Sequence, residues 1–293
     1  MDNNAVSKIN ASRLPDHIKN KMTELINAGQ LPEIVESAGF LQNSREHNHN
    51  LLIDHMLASV EEADKLCQTA GISEQEREIL LLAMSLHDVG KTTKNGIKMI
   101  NKLDEFGKEV KDEKGKLVKV EDEYKPGVKQ RTFFGHAEES AKSIPGILEK
   151  MGYDEQITTL VTSLVKLHDE HIKVGITHDE QEGKYVINEK TVNNYIKQLQ
   201  DNFGNVEQGF ELLNIVGQAD ILSQENPQEK KLPGFMDKME VIRNEMVGRG
   251  LINKKEQGIC RASVIEQTKD LANIIEKNSL NQEKKGPDSH DDR

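Results

Sequence analysis

His87 and Asp88 stand side by side where the apolar run I-L-L-L-A-M-S-L of 79–86 ends, with Gly90 and Lys91 just beyond. An ionised carboxylate at the end of so apolar a segment needs a compensating partner, and a divalent cation is one of the few that also uses the imidazole beside it. The pair alone does not decide the matter, because the helix dipole favours a histidine in a last turn and an aspartate there can simply hydrogen-bond a loop. Further residues of the same kind shift the balance: His55, His136, His168 and Asp220 each fall on an apolar helix face or at a helix end. Buried histidine and aspartate are infrequent, so their recurrence in five helical segments of one chain points to a metal centre. Mixed imidazole and carboxylate donors suit Mn, Fe, Co, Ni or Zn better than Mg or Ca alone. Lys91 is placed to meet an anionic group bound near the pair.

The elements that must carry these residues are helices, since strand-like alternation is scarce and helical periodicity frequent; the chain reads as mainly α. Ile79, Leu82, Ala83 and Leu86 recur at the spacing of one helix face while Leu80, Leu81 and Met84 fill the rest, which predicts a helix buried nearly all round. Ser73 with Glu76 three residues on is a capping box that opens it, and Gly90 is expected to close it as a C′ terminator. Upstream, helices are expected over 15–28 and 32–38 and over 44–70, where His55 shares a face with Leu52, Met56, Ser59 and Ala63. His47 and His49, in the polar entry to that helix, line the approach to the site or only cap the helix. Downstream, helices are expected over 136–151 with a kink or break at Pro145, and over 154–171, 191–202, 206–222, 235–246 and 262–276. Gly217 leaves room for a close approach next to Asp220.

Residues 92–133 are different in kind: charged, punctuated by glycine and without a helical period. Within them V-K-D-E-K-G-K-L-V-K-V is expected to turn back as a hairpin about Gly115, and Pro126-Gly127 marks another turn. The segment leaves the candidate site just after Lys91 and returns just before His136, so it is either a lid or a passive solvated insertion. A second charged interruption, 172–190, contains the strand-like K-Y-V-I. No internal repeat is evident. The expected organisation is N-terminal packing helices over 1–43, a metal-binding domain over 44–225 with its insertion at 92–133, C-terminal helices over 226–277, and a disordered tail over 278–293 that takes in His290.

Composition sets the broad class. A chain of 293 residues, 35% hydrophobic and 30% charged, is long enough to bury a core and reads as soluble. It has no apolar run of bilayer-spanning length, and its N-terminus lacks the basic and apolar regions of a signal peptide, so cytoplasm is the expected compartment and no membrane partner is expected. A net charge of -11 with a pI near 5.5 disfavours neutralising the phosphates of a long nucleic acid. A small phosphorylated ligand stays open, because a local metal and a few lysines override the global sign. Cys67 and Cys260 lack metal-site or disulfide spacing and are expected to be ordinary buried thiols.

Taken in order, I-D-H-M-L-A-S-V-E, L-H-D-V-G-K-T-T, F-F-G-H-A-E-E-S-A, L-V-K-L-H and G-Q-A-D form a set that resembles the HD superfamily of metal-dependent phosphohydrolases. More narrowly, the set is similar to the HD domain of bacterial CCA-adding tRNA nucleotidyltransferases, over residues 20–225. The resemblance implies an HD-domain helical bundle with a long inserted loop or hairpin and additional C-terminal helices. It implies His55, His87, Asp88 and Asp220 as ligands of a first divalent cation, with His136 and His168 completing a second site that Asp88 bridges. The activity it implies is hydrolysis of a nucleotide or related phosphate ester by metal-activated water, with Asp88 central, Lys91 clamping a phosphate, and His171 contacting substrate or shuttling a proton unless it merely lies on the surface. No nucleotidyltransferase motif precedes the region, and H-D-E-H-I-K-V-G over 168–175 lacks the G-Y-P continuation of HD-type cyclic-dinucleotide phosphodiesterases, so neither of those activities is expected. The same six residues also resemble the ligands of HD-type di-iron oxygenases. A module that keeps its metal for structure and acts on a partner is the remaining expectation.

Overall fold

The structure, a computed structural model, describes residues 3–45, 51–179, 184–223 and 231–253. Ten α-helices dominate these residues and the strands form only short antiparallel pairs, so the fold is mainly α. Helices α1 (Asn3–Ala11), α2 (Asp16–Asn27) and α3 (Pro32–Gly39) come first. The expectation from sequence began at Pro15 and passed over α1, whose short N-terminal stretch nevertheless buries Ala5 and Ile9. Helices α4 (Leu52–Ala70), α5 (Glu74–Leu86), α6 (His136–Met151), α7 (Glu155–Leu167), α8 (Glu189–Asn202), α9 (Val206–Leu222) and α10 (Lys231–Gly248) complete the set.

Helix α5 is the axis of the bundle: every residue from Ile79 to Leu86 is buried, and α4, α7 and α9 pack around it. Its capping box forms as expected, with the Ser73 hydroxyl accepting from the Glu76 N–H and the Glu76 carboxylate accepting from the Ser73 N–H. One continuous apolar cluster runs from Ala5 through the central helices to Ile252, so α1 to α3 and α10 share the core of the site-bearing helices. No helix of the described residues is long and apolar enough to cross a membrane.

Several local expectations are corrected. Gly90 does not adopt the left-handed conformation of a helix terminator; it lies in a 3-10 turn, Val89–Thr92, that follows α5. Its lack of a side chain serves packing instead, because a Cβ there would stand 2.5 Å from the His136 carbonyl and the Ser140 N atom of α6. Helix α7 stops at Leu167 rather than continuing to His171, and a second 3-10 turn, Glu170–Lys173, carries His171 off the helix. The physical cause is local: the imidazole of His168 caps the Val165 carbonyl at 2.7 Å, satisfying an acceptor that a further helical turn would otherwise take. Helix α6 continues as one element through the exposed Pro145. The close approach expected at Gly217 is real, since a Cβ would meet the Phe235 ring at 2.6 Å. The strand-like K-Y-V-I is β8 (Lys184–Ile187), paired with β7 (Ile176–Asp179). The helix expected over 262–276, the tail from 278, Cys260, His47 and His49 lie outside the described residues.

The insertion is a branched tree of β-ribbons rather than one hairpin. Its stem pairs β1 (Gly96–Ile97) with β6 (Arg131–Thr132). At the top of the stem Lys98, Asp122 and Gln130 close a ring of backbone hydrogen bonds, Lys98 donating to Gln130 at 2.8 Å, Gln130 to Asp122 at 2.9 Å and Asp122 to Lys98 at 2.8 Å. Two branches leave this ring: the hairpin of β4 (Glu123–Lys125) and β5 (Val128–Lys129), which turns at Pro126-Gly127, and the ribbon of β2 (Met99–Asn101) and β3 (Lys119–Glu121). A second ring, Lys102 to Val118 to Val110 and back to Lys102 at 2.8–2.9 Å, splits that ribbon into two small hairpins. They spring from a short internal echo, which corrects the expectation of no repeat: Asp104–Lys111 is D-E-F-G-K-E-V-K and Asp112–Lys119 is D-E-K-G-K-L-V-K. In each, the aspartate Oδ1 accepts N–H groups two and four residues on, at 2.9 Å, and the glycine takes positive φ. Of the strand residues only Asn101, Tyr124 and Arg131 are even half-buried, so the tree stands in solvent, held at its base where Arg45 forks onto the buried Asp122 carboxylate at 3.0 and 3.3 Å.

Candidate metal centre

Five helices or helix ends bring the expected residues to one place. His55 comes from the buried face of α4, His87 and Asp88 from the end of α5, His136 from the first turn of α6, His168 from the end of α7, and Asp220 from the last turn of α9. They form two adjoining trios, His55 with His87 and Asp220, and Asp88 with His136 and His168, in each of which the donor atoms lie within 4.8 Å of one another. The imidazoles run edge to face from His55 through His87 and His168 to His136, with ring centres 5.1–5.3 Å apart.

Each ring is held by its Nδ1. Those of His87, His136 and His168 lie 2.8, 2.8 and 2.7 Å from the carbonyl three residues earlier, on Met84, Phe133 and Val165. A carbonyl only accepts, so each Nδ1 carries a proton and each ring turns its Nε2 inward, offering a lone pair whenever that nitrogen is deprotonated. His55 achieves the same through Ser223, whose hydroxyl donates to the Asp220 carbonyl at 2.7 Å and is left to accept from the His55 Nδ1–H at 3.1 Å.

Lone pairs then face carboxylates. Asp88 sets Oδ2 3.2 Å from Nε2 of both His55 and His87, and Oδ1 3.0 Å from Nε2 of His136 and 3.9 Å from that of His168. Asp220 Oδ1 lies 3.0 Å from His55 Nε2 and 3.5 Å from His87 Nε2. Among the described residues, the buried His87 Nε2, Asp88 Oδ1 and Asp220 Oδ1 have no hydrogen-bond partner of sound geometry. A cation between them would reconcile such atoms, and the separations fit one: donors about 2.1 Å from a cation stand about 3.0 Å apart in an octahedron and about 3.4 Å in a tetrahedron. The two buried trios could therefore hold metal ions.

Neither comparison finds a relative. No protein-family model matches the chain, and no curated protein does.

Without a cation the charges balance by protonation. Burial pulls the His87 imidazole down, but the Asp88 and Asp220 carboxylates outweigh it and raise the group to about 10. His136 is likewise lowered by burial and raised further by Asp88. Burial opposes ionisation of Asp88, yet His87 and Lys91 hold it well below the usual carboxylate range; Asp220 is held low by His55 and His87 against the same penalty. His168 is lowered, mainly by burial.

Lys91 is buried, with its ammonium 2.6 Å from Asp88 Oδ2, 3.3 Å from Gln42 Oε1 and 5.1 Å from the Phe133 ring centre. It points at the cluster's carboxylate, and Gln42, from an extended segment without periodicity, is a contact the sequence reading did not find. His171 is half-buried, packed edge to face on Phe235 at 4.8 Å, and pushed down to about 4, chiefly by burial, so it is neutral at pH 7. Its Nδ1 bonds the His168 carbonyl at 3.0 Å, which joins it to the turn after α7 and not to either trio. Asp169, which the apolar periodicity does not single out, also reaches the cluster: its Oδ2 lies 3.3 Å from His136 Nε2 and 3.5 Å from His168 Nε2. Cys67 is buried as expected, its thiol pushed up to about 12 by burial.

Proposed function

We propose that the protein is a metal-dependent phosphohydrolase of the HD type that hydrolyses a nucleotide or related small phosphate ester with two divalent cations of the Mn, Co, Ni, Fe or Zn group. The observation that carries this reading is the Asp88 carboxylate, which turns one oxygen to each of two adjoining donor trios. Bound there, a pair of divalent cations activates water and neutralises charge developing on phosphoryl oxygens.

The chain's own groups suit that task. The Nδ1 anchors fix four imidazoles without help from substrate, so the donors are preorganised. Asp88, Asp220 and Asp169 with the Lys91 ammonium leave the cluster net negative when the imidazoles are neutral; two divalent cations reverse that sign and make the mouth attractive to phosphate despite the chain's acidity. The mouth lies on the side of His136, Asp220 and Asp169, whose side chains are 12%, 21% and 32% exposed, whereas His55, His87 and Asp88 are sealed at 1%. Lys91 holds the bridging carboxylate ionised and positions it.

The test is a chelator-stripped protein reloaded with each metal in turn and assayed for release of phosphate from nucleoside mono-, di- and triphosphates and of nucleoside monophosphate from cyclic nucleotides. Release that chelator abolishes and Mn, Co or Ni restores supports the reading. Iron-dependent oxygen consumption without phosphate release would favour an oxygenase, and full metal occupancy without turnover a metal-stabilised binding module.

A further inference from the structure

The ends of α5 and α7 are copies of one device. Each closes with Leu-His-Asp and runs into a four-residue 3-10 turn, Val89–Thr92 or Glu170–Lys173. His87 has φ, ψ of -58°, -29° and His168 of -56°, -32°; Asp88 has -113°, 3° and Asp169 -97°, -4°. In both, the histidine Nδ1 donates to the carbonyl three residues back, and the following aspartate swings its carboxylate onto the Nε2 side of its neighbour, at 3.2 Å for Asp88 and 3.5 Å for Asp169.

From this duplication we infer that Asp169 is a ligand of the second cation, completing a donor set of Asp88, His136, His168 and Asp169 that mirrors His55, His87, Asp220 and Asp88 around the first. The distances agree. Asp169 Oδ2 stands 3.3 Å from His136 Nε2 and 3.5 Å from His168 Nε2, edge lengths matching the 3.0–3.5 Å separations of Asp220 Oδ1 from the first two imidazoles. Without Asp169 the second site has only the three donors of its trio; with it each cation meets two imidazoles and two carboxylates. The copies differ at one informative position. Three residues after Asp88 stands Lys91, whose ammonium compensates that carboxylate at 2.6 Å, and three residues after Asp169 stands Ile172, apolar and 63% exposed. The second turn supplies no lysine at that place, and its Lys173 pairs with Glu170.

This inference rests on the two-cation reading above, and the experiment separates the two. Chelator-stripped full-length protein is titrated with Mn2+ by calorimetry, alongside Asp169→Ala and Asp169→Asn, and the Co2+ forms are compared by visible absorption. Wild type should take up two ions in resolvable steps. Asp169→Ala should keep the first step and weaken the second more than about tenfold, since losing a direct donor exceeds the loss of an outer-shell partner; Asp169→Asn, which keeps a weaker neutral oxygen, should fall between. The Co2+ spectrum should change only in its second-equivalent component. Two unchanged steps in both variants would overturn the role of Asp169 and leave the hydrolase reading standing. Uptake of one ion or none by wild type would overturn this inference together with the two-cation centre. Asp169 is partly exposed, so both variants should fold, which unchanged far-ultraviolet circular dichroism would verify; should Asp169→Ala fail that control, Asp169→Asn carries the comparison.

Discussion

The Lys91 ammonium lies 2.6 Å from Oδ2 of Asp88, and both side chains are almost wholly buried, at 4% and 1% exposure. An ion pair so placed stabilises mainly by preventing an uncompensated charge, and breaking one partner of such a pair costs about 3–5 kcal/mol. Replacing Lys91 with Met should therefore destabilise the chelator-treated protein by about that amount in urea unfolding. Added Mn2+ should recover part of the loss, because a cation at Asp88 supplies the missing positive charge. An equal loss with and without metal would show that Lys91 acts through packing alone.

Gly90 should tolerate no side chain. A Cβ would press on backbone atoms of α6 at 2.5 Å, atoms that cannot swing away as a flexible side chain would, and the Gly90 N–H also donates to Ser140 Oγ at 2.9 Å. Gly90→Ala should cost about 1–3 kcal/mol or more from overpacking and displace His136, lowering Tm and weakening the second metal step together.

Metal uptake should release protons. With its pKa raised to about 10 by the two carboxylates, His87 is protonated at pH 7 in the metal-free protein, and that proton must leave Nε2 before a cation can bind. The sign is fixed: affinity should rise with pH through the neutral range and level off near 10. The stability that the same group lends the metal-free fold runs the other way, being full below the ordinary histidine value near 6.5 and lost as pH rises through about 10. Calorimetry in two buffers of different ionisation enthalpy reads the proton count directly; a buffer-independent enthalpy would contradict it.

How much of this was legible in the chain depends on where each residue sits. His55, His87, Asp88, His136, His168 and Asp220 could be singled out because each interrupts an apolar face or ends a helix, and apolar periodicity is the strongest local signal. Asp169 could not, because the apolar period predicts one helix over 154–171, which turns consecutive residues away from each other; the repeated Leu-His-Asp at 86–88 and 167–169 is the signal that marks it. Gln42 lies in a segment without periodicity, and the direction of Lys91 depends on tertiary contacts. In the insertion, Gly115 and Pro126-Gly127 announced turns, but the branching depends on backbone rings joining residues up to 32 positions apart, Lys98 to Gln130, which no local pattern encodes.

That branching makes a prediction of its own. Replacing 103–117 with a tight two-residue turn removes both outer hairpins but leaves the inner ring at Lys98, Asp122 and Gln130 and the Arg45 anchor. Metal stoichiometry and Tm should stay within error of wild type, since the removed residues are exposed or half-exposed. Asp122→Ala should loosen the base instead, leaving the Arg45 guanidinium without its carboxylate, and expose 92–133 to limited proteolysis. If the insertion acts as a lid, KM for phosphate esters changes in the trimmed protein; an unchanged kcat and KM on every substrate would make the outer branches passive.

The account turns on Asp88 serving two cations at once, and metal content by equilibrium dialysis and mass spectrometry of folded, reloaded protein measures that directly. Wild type should hold two divalent ions per chain, Asp88→Ala should lose both steps of uptake while circular dichroism shows the helices intact, and His136→Ala should lose only the second. Stoichiometric metal retained by Asp88→Ala, or a folded wild type that takes up none, would contradict the claim.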